Sequence, residues 1–383
     1  MSKVDIFNIE ESIQEHIHEG NEKELRNIAD HFKKGQFETV IENIHAFEAQ
    51  YEVNESLKKL FTMLQATSLI QMDEHTKAKE LLNDLYESSK NASIEELHLY
   101  GDIAFMCDYK LARKIMANVT KQMEETNYSD PLAITRAFLS LGEAEENLQK
   151  YKRAIKYYKK GLDYLMESPN KQHQMVIFLH YKLGGLHSMT NQIDEAIRYL
   201  QLTLEQTMQD HSEIEFNTLV SLAKMYGQKK QYDKANQLLE QALPLLAHSS
   251  LKNKLVHAEA YTELAYNHFD LSQFEQAIPY YNQAIDTHKQ LPHYSSRELG
   301  MIYMQYAHCL IQVETYNQKQ ISKIYGLALE ELEKTEDYNL IESALADIIA
   351  FHEKIGDSKK KHYYEDLFVK LINKRKMDSV SKG

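Results

Sequence analysis

The strongest constraint on this chain is a pattern that returns at intervals of 39 to 42 residues through its middle. Four segments align: YKRAIKYYKKGL from Tyr151, IDEAIRYLQLTL from Ile193, YDKANQLLEQAL from Tyr232 and FEQAIPYYNQAI from Phe274. Each holds an alanine anchor (Ala154, Ala196, Ala235, Ala277) with apolar residues three and four places after it. About a dozen residues before each anchor comes a leucine and a small residue: Leu141-Gly142, Leu183-Gly184, Leu222-Ala223 and Leu264-Ala265. Apolar residues at i, i+3, i+4 and i+7 mark one buried stripe of a helix. Two such stripes, joined by polar turns such as TNQIDEA and DLSQFEQA, make a helical hairpin whose small residues let the backbones close up. One hairpin cannot cover its own apolar face, so neighbours must stack on it.

The register runs on in both directions. Val40, Ala78 and Ala112 continue it upstream, and Ile321 and Lys360 downstream, which makes nine units. Turn residues are correspondingly scarce. The 383 residues include 12 Gly and 5 Pro, with no Pro before Pro131. Hairpin-rich β folds need those residues at every reversal, so a sandwich or barrel is excluded. The links between units, ESPNKQHQ, MQDHSE, HSSLKN and LPHYSSRE, are short and polar.

The Leu-Gly pair in the first helix and the small residue early in the second resemble the tetratricopeptide repeat, whose own period is about 34 residues. That resemblance implies an all-α fold, a right-handed superhelical solenoid of about nine hairpins. The expected division is 1–24, an N-terminal helical segment; 25–125, degenerate repeats; 126–375, the repeat superhelix; and 376–383, a C-terminal tail. The long units and tyrosine-rich second helices are similar to the Rap-type and PlcR/NprR-type peptide sensors of Gram-positive bacteria. Those proteins bind a short re-imported peptide in the concave groove. Two features depart from them. The register already reaches Val40, which leaves no room for an N-terminal helix-turn-helix. None of Gln14, Gln36, Gln50 or Gln65 matches the catalytic Gln of the Rap-type effector bundle.

Other chemistry is thin. Phosphate-cradling glycine motifs and H-E-x-x-H are absent, and His16 and His18 lie too close in sequence to share a helix face. Gly184-Gly185 reads as close helix packing, and His187 and His268 as packed residues with a polar tip. Cys107 and Cys309 read as small core residues, with a reactive thiol the lesser reading for Cys107. Glu143, Glu145 and Glu146 read as solvated charges, and Lys374, Arg375 and Lys376 as complements to a helix C-terminus. No catalytic residue, cofactor or metal is assigned. A net charge of −13 disfavours nucleic acid. No segment is apolar enough for a membrane span, and the first twenty residues do not form a signal peptide, so a cytoplasmic protein is expected.

The resemblance puts the first helices of the hairpins along the concave face. Their non-core positions are Arg136, Glu143, Tyr181, Asn217, Lys224, Tyr266, Asp270 and His308. Amides, charges and tyrosine rings of this kind can satisfy an extended peptide. The leading expectation is a non-catalytic scaffold or peptide-regulated adaptor in bacterial signalling, with a protein segment or short peptide as partner. The alternative is a Rap-type regulator that dephosphorylates or sequesters a response regulator. Stacking units can also stack between chains, which leaves a homo-oligomer open.

Overall fold

The computed structural model describes residues 9–381, apart from 18–19, 90, 170–171, 208–212, 247–249, 251 and 253. The links ESPNKQHQ, MQDHSE and HSSLKN, His18, and the outer ends of segments 1–24 and 376–383 fall wholly or partly outside the described residues. Among the described residues every regular element is helical. Contacts divide the chain into two compact units, Met1–Gln192 and Ile193–Gly383.

The first unit opens with the short helix α1 (Ile9–Gln14). Hairpins follow: α2 (Glu22–Lys33) with α3 (Phe37–Gln50), α4 (Glu55–Gln71) with α5 (His75–Ser88), α6 (Ile94–Phe105) with α7 (Tyr109–Glu125), and α8 (Pro131–Asn147) with α9 (Tyr151–Glu167). It ends on α10 (His173–Met189). The second unit starts at α11 (Ile193–Thr207), then pairs α12 (Glu213–Gln228) with α13 (Tyr232–Leu246) and α14 (Leu255–Asp270) with α15 (Phe274–Lys289). The hairpins α16 (Ser296–Ile311) with α17 (Gln318–Leu332), and α18 (Tyr338–Lys354) with α19 (Ser358–Ser381), close it. Within each unit, every helix packs on its chain neighbours, and first helices of successive hairpins also touch, as α12 does α14.

The anchors behave as small residues at a helix crossing should. Val40, Ala78, Ala112, Ala154, Ala196, Ala235 and Ala277 are all fully buried. Lys360, the ninth, is exposed, so the last hairpin closes without a packed small residue there. Gly142 also answers to packing, because a Cβ on it would stand 2.8 Å from the Tyr158 ring. Gly161 brings its carbonyl to Thr135, whose hydroxyl donates to it at 3.1 Å. Gly185 corrects the packing reading of the Gly184-Gly185 pair: it is exposed, and among the described residues nothing lies within 4 Å of a Cβ built on it.

The turns repeat as strictly as the core. Five residues before the anchor, Asp73, Gln149, Asn191, Lys230 and Ser272 all take φ between 57° and 64°, and Gly35 takes 72°. This left-handed residue lets the next amide reach back five places, as Gln273 N does to His268 O at 2.8 Å. The side chains then close the same ring. His268 Nδ1 meets Gln273 Oε1 at 2.7 Å, His187 Nδ1 meets Gln192 Oε1 at 2.5 Å, and His31 pairs with Gln36 in the same way. These histidines and Gln36 thus serve the turn. In the last hairpin, His352 Nδ1 faces Asp357 Oδ2 at 3.7 Å in the equivalent place.

Candidate functional site

On each first helix, residues spaced by four and then three places share one face. In the second unit this brings Lys224 of α12 to Glu259, Glu263 and Tyr266 of α14. Lys224 Nζ donates to Glu259 Oε1 at 3.0 Å. Beside them lies a cavity of ≈ 190 Å³ whose far wall is Glu298, Arg297, Met301 and Ile302 of α16. Thr262 and His288 close its floor.

The charges there are unbalanced. Burial pushes the Glu263 carboxyl up, Lys224 holds it down in part, and Glu259 pushes it further up. Burial alone would lower the Lys224 ammonium, but Glu259 and Glu263 more than reverse that and raise it. Arg297 is turned toward Asp337, 3.7 Å away. Three carboxylates therefore share one committed cation. The Tyr266 hydroxyl is pushed up by burial and then by Glu263 and Glu298, so the ring stays neutral. Thr262 donates to Ala258 O at 2.9 Å, which leaves its oxygen to accept from His288 Nε2 at 3.1 Å. Burial holds the His288 imidazole below its ordinary value, against Glu298 and Glu259.

Of the residues expected from the sequence, Lys224 and Tyr266 meet at this cavity. Asn217 is half-buried two turns earlier on α12. Asp270 ends α14, exposed and away from the cavity lining, where burial and then its carboxylate push the Tyr232 hydroxyl up. His308 pairs with Asp347 of α18 at 3.4 Å and meets the Tyr325 ring edge-on. The others belong to the first unit. Arg136 and Glu143 are exposed on α8 and Tyr181 is half-buried on α10. Although the residue as a whole is exposed, partial desolvation of the Glu143 carboxyl by its neighbours raises it, opposed by Lys182. Lys182 itself holds Glu146, which also accepts from Tyr158 Oη at 2.8 Å. Glu145 is buried with Arg153 3.7 Å away. The sequence reading missed Glu259, Glu263, Glu298 and Lys182. Their signal was present, since Glu259, Glu263 and Tyr266 follow the i, i+4, i+7 rule on one face.

Burial favours the protonated form of both thiols. Burial pushes the Cys107 thiol up to about 11 and the Cys309 thiol up to about 12. Among the described residues no helix is long and apolar enough to cross a membrane.

Residues 133–209 and 214–290 match the tetratricopeptide repeat family. No curated protein sequence matches it. Solved structures share its fold. The apo form of RapI aligns with TM-score 0.61 at 12% identity, over 93% of this chain and 98% of that one. The apo form of the quorum sensor NprR from B. thuringiensis gives 0.56 at 17%, over 95% and 100%. PH0952 from Pyrococcus horikoshii, a STAND protein with a tetratricopeptide repeat sensor, gives 0.59 at 15%, over 95% of this chain and 55% of that one. At such identities the likeness is one of fold.

Proposed function

We propose that this tetratricopeptide-repeat chain is a peptide-regulated adaptor, and that the groove over α12, α14 and α16 binds a short peptide carrying a basic side chain. The cavity beside Lys224 carries the reading. Its Tyr266, Met301 and Ile302 wall suits an aliphatic stem, and Glu263 and Glu298 suit an ammonium or guanidinium head. A volume of ≈ 190 Å³ suits one such side chain and is too small for a whole peptide. The remainder of the peptide would lie along the groove, where Asn217 offers both a donor and an acceptor to its backbone. The shared fold with NprR, described as a quorum sensor, supports a sensing role.

The test is selection from a randomised short-peptide library on the purified full chain, read by mass spectrometry. Enrichment of Lys or Arg at one position, lost in Glu263→Gln/Glu298→Gln, is the expected result. A bound pool without that enrichment, or one unchanged by the double variant, would overturn the reading.

A further inference from the structure

The segments from Tyr109 to Met123 and from Leu148 to Leu162 contain ten Lys or Arg and no Asp or Glu, in a chain with 57 acidic and 44 basic residues. They form most of α7 and the first turns of α9, second helices of successive hairpins with anchors at Ala112 and Ala154. In that register Lys110 is equivalent to Lys152 and Lys114 to Lys156. Some of these cations are neutralised at the margins: Lys114 by Glu87, Lys160 by Glu124 at 2.6 Å and Arg153 by Glu145 at 3.7 Å. Lys110, Arg113, Lys150, Lys152 and Lys156 make no ion pair among the described residues, and all but the half-buried Arg113 are exposed.

Their placement runs against helix stability. Lys110, Lys150 and Lys152 sit at the N-terminal ends of α7 and α9, where the helix dipole disfavours a positive charge. Unpaired and unburied, they do nothing for the core either. We infer that the exposed basic face of α7 and α9 is a docking surface for a short acidic segment of a partner protein. Length decides between polyanions. The face is two helices wide, and a nucleic acid or anionic bilayer would extend past it over the rest of a chain of net charge −13. A segment with a few carboxylates fits within the face, where Lys110, Lys150, Lys152 and Lys156 outnumber the Glu87 and Glu124 carboxylates at its margins. The surface lies wholly in the first unit and does not depend on the groove reading.

The experiment uses the full chain and a fluorescein-labelled peptide of alternating glutamate and serine, followed by anisotropy at low and physiological salt. Duplex DNA and phosphatidylglycerol vesicles are the comparison probes. The expected result is peptide binding that weakens as salt screens it, and a loss of about tenfold in Lys110→Glu/Lys152→Glu/Lys156→Glu. The control Lys354→Glu/Lys359→Glu/Lys370→Glu makes the same change in net charge on exposed residues of α18 and α19. It should lose less than about twofold. Absence of peptide binding at low salt, equal losses in the two triple variants, or tighter binding of DNA or vesicles than of peptide would overturn the assignment.

Discussion

Lys224 Nζ on α12 reaches Glu259 Oε1 on α14 at 3.0 Å, tying two successive hairpins together across the groove. The tie recurs along the chain: Lys59 with Glu96 at 3.1 Å, Lys182 with Glu146 at 3.1 Å and His308 with Asp347 at 3.4 Å each join first helices of neighbouring hairpins. At Lys224 the pair also faces Glu263. Removing the cation leaves Glu259, Glu263 and Glu298 without it, whereas removing Glu259 leaves Lys224 with Glu263 and Glu298. Lys224→Met should therefore cost more than Glu259→Gln in urea unfolding, by about 1 kcal/mol. Equal costs would show that Glu263 does not feel Lys224.

Glu263 gives a pH prediction with a definite sign. Its carboxyl is held above the ordinary 4.5, so between the two values the native state keeps a proton that the unfolded chain has lost. The contribution to stability is complete below the ordinary value and fades as pH rises through the raised one. Glu263→Gln should raise the thermal midpoint at neutral pH, and the gain should shrink toward pH 4.5. A gain that does not vary with pH would place its origin elsewhere.

Two glycines in equivalent helices should respond in opposite ways to alanine. A Cβ on Gly142 would press the Tyr158 ring at 2.8 Å, and that ring is held by its bond to Glu146. Gly142→Ala should destabilise by about 1–2 kcal/mol even after its gain in helix propensity. Gly185 faces open space, so Gly185→Ala should stabilise by up to about 1 kcal/mol. Chemical unfolding of both variants checks the contrast, and a shared sign would contradict it.

Tyr158 and Tyr281 occupy the same position, four residues after their anchors, with different polar fates. Tyr158 donates to Glu146 at 2.8 Å, while the buried Tyr281 hydroxyl has no hydrogen-bond partner among the described residues. Tyr158→Phe should cost about 1–2 kcal/mol, and Tyr281→Phe should be neutral or stabilising by about 1 kcal/mol. Calorimetric unfolding of the two variants decides it, and equal losses would mean that the Tyr281 hydroxyl is satisfied in solution.

These contrasts show which layers of the structure the sequence encodes openly. Ala154, Ala196, Ala235 and Ala277 could be read directly, because a small residue recurring in an apolar stripe has one physical use, the close crossing of two helices. The left-handed turn residues were less visible. Gln149 and Lys230 are poor markers of positive φ, and only the turn's repetition exposes them. The cavity was half legible. Lys224 and Tyr266 could be placed by register, but Glu263 looks like any solvated charge until the rotation of α14 turns it toward Lys224. Gly185 misled because a glycine beside a packing glycine carries the same letter whether it is enclosed or open.

Isothermal calorimetry of a library-selected basic peptide, titrated into the wild-type chain and into Glu263→Gln/Glu298→Gln, bears most directly on the groove. The wild type should bind one peptide per chain, and the double variant should lose about tenfold or more in affinity while keeping its helical content. Undiminished affinity in the folded double variant would contradict recognition of a basic side chain beside Lys224.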